Sequence, residues 1–162
     1  MAAIRACATA DAPAIAEIYN HFVRDTVVTF EEIPVSADAM ARRIEDIGAR
    51  FPWLVWEDDG AVIGYAYASA WKSRSAYRFA VESTIYLTTS RHRSGIGTQL
   101  YGALLAEVKV RGFHTAVGGI ALPNPASIAL HEKLGFTKIG QFVEVGRKLD
   151  RWIDVGYWQL IF

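Results

Sequence analysis

The segment that most constrains this chain runs from Ser83 to Gly112, where a strand, a glycine turn and a helix follow one another directly. Ser83-Thr84-Ile85-Tyr86-Leu87-Thr88 is rich in β-branched and aromatic residues and free of Gly and Pro, which predicts a strand. Leu100, Tyr101, Leu104, Leu105 and Val108 then recur at helical spacing, and Gly112 stands where that helix would end. Between them lies Arg93-Ser94-Gly95-Ile96-Gly97-Thr98. A glycine turn that opens a helix aims unpaired backbone N–H groups and the positive end of the helix dipole at one point. Such a point binds phosphate, and Arg93 adds a fixed cation beside it. Residues 93–98 are therefore expected to hold a phosphorylated cofactor.

Two common phosphate carriers are excluded by what the turn lacks. A P-loop requires Lys and Ser/Thr after its second glycine, whereas Gly97 is followed by Thr98-Gln99. A dinucleotide fingerprint requires a third glycine at the position of Leu100. Charge narrows the partners as well. Lys plus Arg and Asp plus Glu are both 17, so no basic excess favours nucleic acid. No apolar run approaches a membrane span, and the first residues do not read as a secretion signal. A single cytoplasmic domain over residues 1–162, an enzyme or a binding module, is the expectation. Cys7 is the only cysteine, which rules out an intrachain disulfide and suggests a buried strand thiol.

The rest of the chain reads as an ordered series of elements. Ile4–Cys7 is a short strand; Asp11 caps a helix carrying Ile15, Ile18, Tyr19 and Phe22, and Ser36 caps another with Met40, Ile44 and Ile47. Strands 53–57 and 61–70 flank the turn Asp58-Asp59-Gly60, and a further strand spans 79–88. After the helix of 98–111, strand 114–121 contains Gly118-Gly119, which signals a bulge or a close backbone approach. Asn124-Pro125 starts a helix that Gly135 ends, and strands 136–145 and 152–162 close the chain around residues 147–150. The order β-α-α-β-β-β-α-β-α-β-β predicts an α+β (α/β-type) single domain, a mixed central sheet flanked by helices.

That element order, the 93–98 loop and the Asn124 helix resemble the Gcn5-related N-acetyltransferases, whose pyrophosphate loop reads Gln/Arg-x-x-Gly-x-Gly/Ala. His92 occupies the first position of that pattern and the basic residue stands one place later, at Arg93. Five blocks sharpen the resemblance to the phosphinothricin and methionine sulfone/sulfoximine N-acetyltransferase subgroup: residues 51–55, 70–77, 81–86, 130–136 and 152–159. The resemblance implies acetyl-CoA as co-substrate, no metal, and direct transfer to the amine of a small amino-acid analogue. It implies a pantetheine arm along Ile85, Tyr86 and Leu87, with the Leu87 N–H near the thioester oxygen. Asn124 and Lys133 are further cofactor contacts by the same resemblance, beside Arg93, Ser94, Gly95, Ile96, Gly97 and Thr98.

Glu82 is the candidate general base, because a carboxylate can take the proton of an attacking amine. It lies in an otherwise apolar strand, where burial would raise its pKa; spacing alone equally allows the solvated face of an alternating strand. His131 is either an auxiliary acid–base group or a packed, hydrogen-bonded core histidine. Lys72, Arg74 and Arg78, interleaved with Trp71, Tyr77 and Phe79, form either a solvated loop or a receiver for carboxylate and sulfone, sulfoximine or phosphinate groups. The expected acceptor site comprises Lys72, Ser73 and Arg74, with Glu82, Ser83 and Thr84 beneath, and Phe30 and Glu31 closing over it. Acetylation of a peptide or protein amine and a non-catalytic acyl-CoA sensor are the alternatives. Trp152, Val155, Tyr157, Trp158 and Phe162 are many apolar residues for the last strands. They are either core or, as the resemblance implies, in part a homodimer contact.

Overall fold

Seven strands form one sheet in the computed structural model, which describes residues 1–89 and 95–162. In chain order the elements are β1 (Ala3–Ala6), α1 (Ala12–Asp25), α2 (Ala37–Gly48), β2 (Trp53–Asp58), β3 (Ala61–Ala70), β4 (Ala80–Leu87), α3 (Ile96–Val110), β5 (Thr115–Ala121), α4 (Pro125–Lys133), β6 (Thr137–Lys148) and β7 (Arg151–Ile161). The strands lie in the order β1-β2-β3-β4-β5-β7-β6. All neighbours are antiparallel except β4 and β5, so the mixed sheet flanked by helices is as expected.

The parallel pair is short. Register runs through Ala80↔Thr115, Val81↔Ala116 and Glu82↔Val117 and then stops, although β4 continues to Leu87 and β5 to Ala121. Beyond Glu82 the two strands part, and this fork organises everything that follows.

Alternation along β3 divides the interior in two. Ala66 and Ala68 face α3, joining Leu100, Tyr101, Leu104, Val108 and Trp158 in one core. Tyr65 faces α1 and α2, where Ile15, Tyr19, Val23, Met40 and Ile44 close the other. Each fully buried large apolar side chain contributes about 1.5–3 kcal/mol, so the two layers fix the helices on opposite faces of the sheet.

The helix ends follow local chemistry. Ser36 Oγ accepts the Ala39 N–H at 3.1 Å, and Asn124 Oδ1 accepts that of Ser127 at 3.1 Å. Asp11 differs from expectation: its carboxylate takes the Ala8 N–H and both guanidinium nitrogens of Arg5, each at 2.8 Å, so it ties β1 to the turn before α1. Cys7 falls just past β1 and is half-buried.

Three boundaries shift for physical reasons. The helix expected over 98–111 begins at Ile96, because Gly95 at φ +76° completes the turn by itself and leaves Gly97 and Thr98 inside the first turn. The strand expected to end at 145 runs on to Lys148, and the hairpin turns on Leu149 and Asp150 alone, both at positive φ. Register slips between Phe142 and Gly146, around Glu144 at φ +49°. Gly118-Gly119 makes no bulge: the β5–β7 register is continuous, and the glycines mark close approach instead.

The apolar residues of β7 separate by role. Trp158 and Val155 are core, Phe162 packs against that core, and Trp152 is 62% exposed. Ile139, Phe142, Val143 and Val145 of the edge strand β6 are exposed with it. No helix among the described residues is long and apolar enough to cross a membrane.

Candidate active site

Where β4 leaves β5, its free edge has no strand partner among the described residues and offers backbone N–H and C=O groups to a ligand. Facing that edge is a cleft of about 470 Å³. One wall is Glu82–Tyr86 of β4; the floor is Gly119–Ala121 of β5; Asn124, Ser127 and His131 of α4 form the second wall. The far end is closed by Tyr19, Val28, Thr29, Phe30 and Tyr67, and by Val145, Val155 and Tyr157 of the β6–β7 hairpin.

Glu82 sits at the point of the fork, paired with Ser69 on one side and Val117 on the other. Burial pushes its carboxyl above the usual carboxylate range, and the Lys72 ammonium opposes part of that shift. A carboxylate with a raised pKa is a stronger base, which suits proton removal from a bound amine.

On the α4 side runs a chain of neutral hydrogen bonds. His131 Nδ1 lies 2.7 Å from the Ser127 carbonyl oxygen, which can only accept, so Nδ1 carries the proton. Nε2 therefore accepts from Tyr101 Oη at 3.1 Å, and Tyr101 Oη accepts from Ser83 Oγ at 2.7 Å. His131 is only 4% exposed, and burial lowers its pKa, consistent with the neutral tautomer. Burial likewise raises the Tyr101 phenol. Gly118 lies directly beneath the imidazole, and a Cβ there would run into Nε2 and Cδ2.

The opposite end is aromatic and charged. Tyr19 packs edge-on against Tyr86 at 5.3 Å, and Tyr67 stacks on Trp53 at 4.2 Å. Tyr19 Oη is 2.7 Å from Thr29 Oγ1 and also donates to the Glu31 carboxylate. Arg43 holds Glu31 with two nitrogens, at 2.5 and 2.8 Å, and keeps that carboxyl below the usual range. Burial raises the phenols of Tyr19, Tyr67 and Tyr86, so they stay neutral donors.

Of the residues singled out from sequence, Phe30, Glu82, Ser83, Thr84, Ile85, Tyr86, Asn124 and His131 share this cleft. Leu87 lies past its end, lining a second hollow of about 370 Å³ with Thr88, Thr89 and α1, and its side chain approaches Gly97. Gly95, Ile96, Gly97 and Thr98 form the start of α3, whose first-turn N–H groups have no partner within the helix. Arg93 and Ser94 lie outside the described residues. Lys133 is exposed at the end of α4 and does not line the cleft. Lys72, Ser73 and Arg74 are exposed and outside its walls; the Lys72 ammonium sits over the Trp71 ring at 4.9 Å. Glu31 turns away from the opening toward Arg43.

Sequence reasoning did not place Tyr67, Val145 or Tyr157 at the site, and it read Tyr157 as core or a homodimer contact. Tyr67 is given by strand alternation, which sets it on the same face of β3 as Tyr65 and one strand away from Thr84. Val145 reaches the cleft only through the β6 register slip, which left no mark in the sequence.

A forked mixed sheet, a desolvated carboxylate at the fork and a glycine-opened helix beside the free strand edge suit an enzyme that transfers a group from a phosphate-bearing carrier. Comparison with known proteins fixes which one. Residues 4–156 match the model of the acetyltransferase (GNAT) domain. The chain is 41% identical to the phosphinothricin N-acetyltransferase of Streptomyces viridochromogenes, over 98% of this chain and 87% of that one. It is 38% identical to the L-methionine sulfoximine/L-methionine sulfone acetyltransferase of Salmonella typhimurium, over 97% and 92%. A crystal structure of a GNAT superfamily phosphinothricin acetyltransferase from Sinorhizobium meliloti in complex with acetyl-CoA superposes with a TM-score of 0.96 at 41% identity, covering 99% of this chain and 88% of that one. The chain belongs to the GNAT acetyltransferases and is an acetyl-CoA-dependent N-acetyltransferase.

Proposed function

We propose that this protein transfers the acetyl group of acetyl-CoA to the α-amino group of a small amino-acid analogue of the phosphinothricin, methionine sulfone or methionine sulfoximine class. The observation that carries this reading is Glu82, desolvated at the fork and opening on a cleft closed at its far end. A cleft of about 470 Å³ suits an amino-acid-sized acceptor beside a thioester arm.

In this reading the unpaired edge of Ile85, Tyr86 and Leu87 receives the pantetheine amides, as an added strand would. The first turn of α3, from Gly95 to Thr98, with Arg93 and Ser94 before it, receives the diphosphate. Asn124 borders the arm from the other wall, and Lys133 supplies a cation farther along α4. Glu82 takes the proton of the amine, directly or through water, as its nitrogen attacks the acetyl carbonyl carbon; the coenzyme leaves through sulfur. Ser83 and Thr84 line the acceptor's path, Phe30 covers it, and Lys72, Ser73 and Arg74 meet its anionic groups at the rim. His131, neutral and linked to Ser83 through Tyr101, is an auxiliary group on the cofactor side. The chain works in the cytoplasm as a homodimer, a state favoured by the exposed Phe142, Val143 and Trp152. A monomeric mass by light scattering would remove the dimer.

Thiol release from acetyl-CoA tests the reading across methionine sulfone, methionine sulfoximine, phosphinothricin, ordinary amino acids and a peptide amine. Turnover confined to the first three and their close analogues is expected. Turnover of the peptide alone, or acetyl-CoA binding without any transfer, overturns it.

A further inference from the structure

The irregular segment between α1 and α2 forms the far wall of the cleft with Val28, Thr29 and Phe30, and two residues of β6 hold it there. Lys148, at the tip of the β6–β7 hairpin, is 3% exposed. Its ammonium donates to the Thr29 carbonyl at 2.7 Å and to the Phe22 carbonyl, at the end of α1, at 3.3 Å. Nearby, the ring of Phe30 lies in the space that a side chain at Gly146 would fill. Glu31 and Glu32 both act on the Lys148 charge without bonding to it, so the carbonyls are what fix its position.

These contacts join parts of the molecule that lie far apart across the sheet. The wall segment belongs to α1 and α2, which pack on β2 and β3, while Lys148 and Gly146 belong to the opposite edge of the sheet, beyond the fork. The connection therefore spans the mouth of the splay on the acceptor side. A buried ammonium loses its hydration, and only well-placed acceptors offset that cost. Main-chain carbonyls serve as those acceptors whatever side chains the wall carries.

We infer that Lys148 and Gly146 latch the wall segment across the fork, and that this latch fixes the position of Phe30 and so sets which acceptor side chains fit. Both are positioning residues, since neither reaches the reacting atoms. The inference rests on the acceptor reading given above, because a wall with no acceptor behind it has nothing to select.

The test compares wild type with Lys148→Met, which keeps the apolar stem and removes the donors, and with Lys148→Arg, which keeps a charged donor. Gly146→Ala serves as an independent variant acting through Phe30. In Lys148→Met the acceptor KM is expected to rise roughly tenfold, the size of one charge-assisted hydrogen bond, with the acetyl-CoA KM within about twofold of wild type. Discrimination between methionine sulfone and bulkier amino acids is expected to narrow, and Lys148→Arg to restore part of it. Gly146→Ala should change the acceptor preference without changing the acetyl-CoA KM. Hydrogen exchange at amides 27–31, read in the same proteins without substrate, should quicken relative to wild type in Lys148→Met and keep the wild-type rate in Lys148→Arg. Unchanged exchange overturns the latch, and quicker exchange with unchanged acceptor KM and selectivity overturns its role in choosing the acceptor. If wild type acetylates none of the panel, the acceptor reading fails with the selectivity claim, while the exchange measurement still decides the latch.

Discussion

The two ends of the cleft are built by different means. On the α4 side Ser83, Tyr101 and His131 form a buried chain of neutral groups that ends on the Ser127 carbonyl. At the opposite end Arg43 and Glu31 form an ion pair, the Lys148 ammonium donates to the Thr29 carbonyl, and Tyr19 links Glu31 to the Thr29 hydroxyl; both ends of the Glu31–Arg43 pair remain about two-fifths exposed. The first arrangement loses stability when a member is removed, because a buried polar atom is then left without its partner. The second can lose a surface charge at small cost in stability and still change the shape of the wall. The difference points to a fixed end and an adjustable end, joined by the sheet below Glu82, by the core under α3, and by the Lys148 and Gly146 contacts above the fork.

The largest effect should come from the residue between the two ends. Glu82→Gln keeps shape and removes the base, so kcat is expected to fall by roughly 10²–10⁴-fold while acetyl-CoA still binds. The pH profile gives the sign. Burial raises the Glu82 pKa, so activity in wild type should climb with pH through a value above the ordinary carboxylate near 4.3, and the variant should lack that limb. Steady-state rates across pH, with calorimetry for coenzyme binding, check both. A variant that retains the limb would move the base elsewhere.

Next in size is Gly118→Ala, which drives a methyl group into the His131 ring. Overpacking of this kind costs about 1–3 kcal/mol. For a domain of this length that corresponds to a fall in Tm of about 2–4 °C per kcal/mol. Thermal denaturation measures it. Tyr101→Phe attacks the same chain by leaving His131 Nε2 without its donor, and should cost about 1–3 kcal/mol, at the lower end because Ser83 can turn toward the cleft. The neutral histidine also predicts a pH effect on stability. Its folded pKa lies below the unfolded value near 6.5, so its contribution is complete above that pH. The contribution is lost as pH falls from there toward the lower folded value. Urea midpoints measured between pH 7.5 and 5 should decline through that window, and His131→Asn should flatten the decline.

The contrast between the two ends also governs what the sequence makes legible. The α4 side of the cleft is assembled from short-range signals: the glycine turn at Gly95, the Asn124-Pro125 helix start and the strand Ser83–Leu87 are each marked by residues within a few positions of one another. Glu82 is legible for the same reason, as a lone carboxylate in an apolar strand. Lys148 is not, since its partner Thr29 lies 119 residues away and the residue reads as part of a charged turn. The β6 slip at Glu144 is equally hidden, because a non-glycine residue at positive φ carries no compositional mark. Lys72 and Arg74 are visible as a basic cluster, yet only packing shows that they are exposed and do not line the walls of the cleft.

The smallest stability effect should belong to Arg43→Met, and it bears most directly on the contrast. Arg43 and Glu31 are 41% and 39% exposed at the side chain, so solvent screens the pair and its loss should cost no more than about 1 kcal/mol. The Glu31 carboxyl, now held low by Arg43, would regain a pKa closer to its ordinary range and keep only its bond from Tyr19. That bond ties Glu31 to the hydroxyl that also contacts Thr29, on the inner surface of the wall. A nearly unchanged Tm with an altered acceptor KM and an unaltered acetyl-CoA KM would therefore show the acceptor side responding independently of the cofactor side. Equal changes in both KM values would mean that the two ends move as one, and the contrast between them would fail.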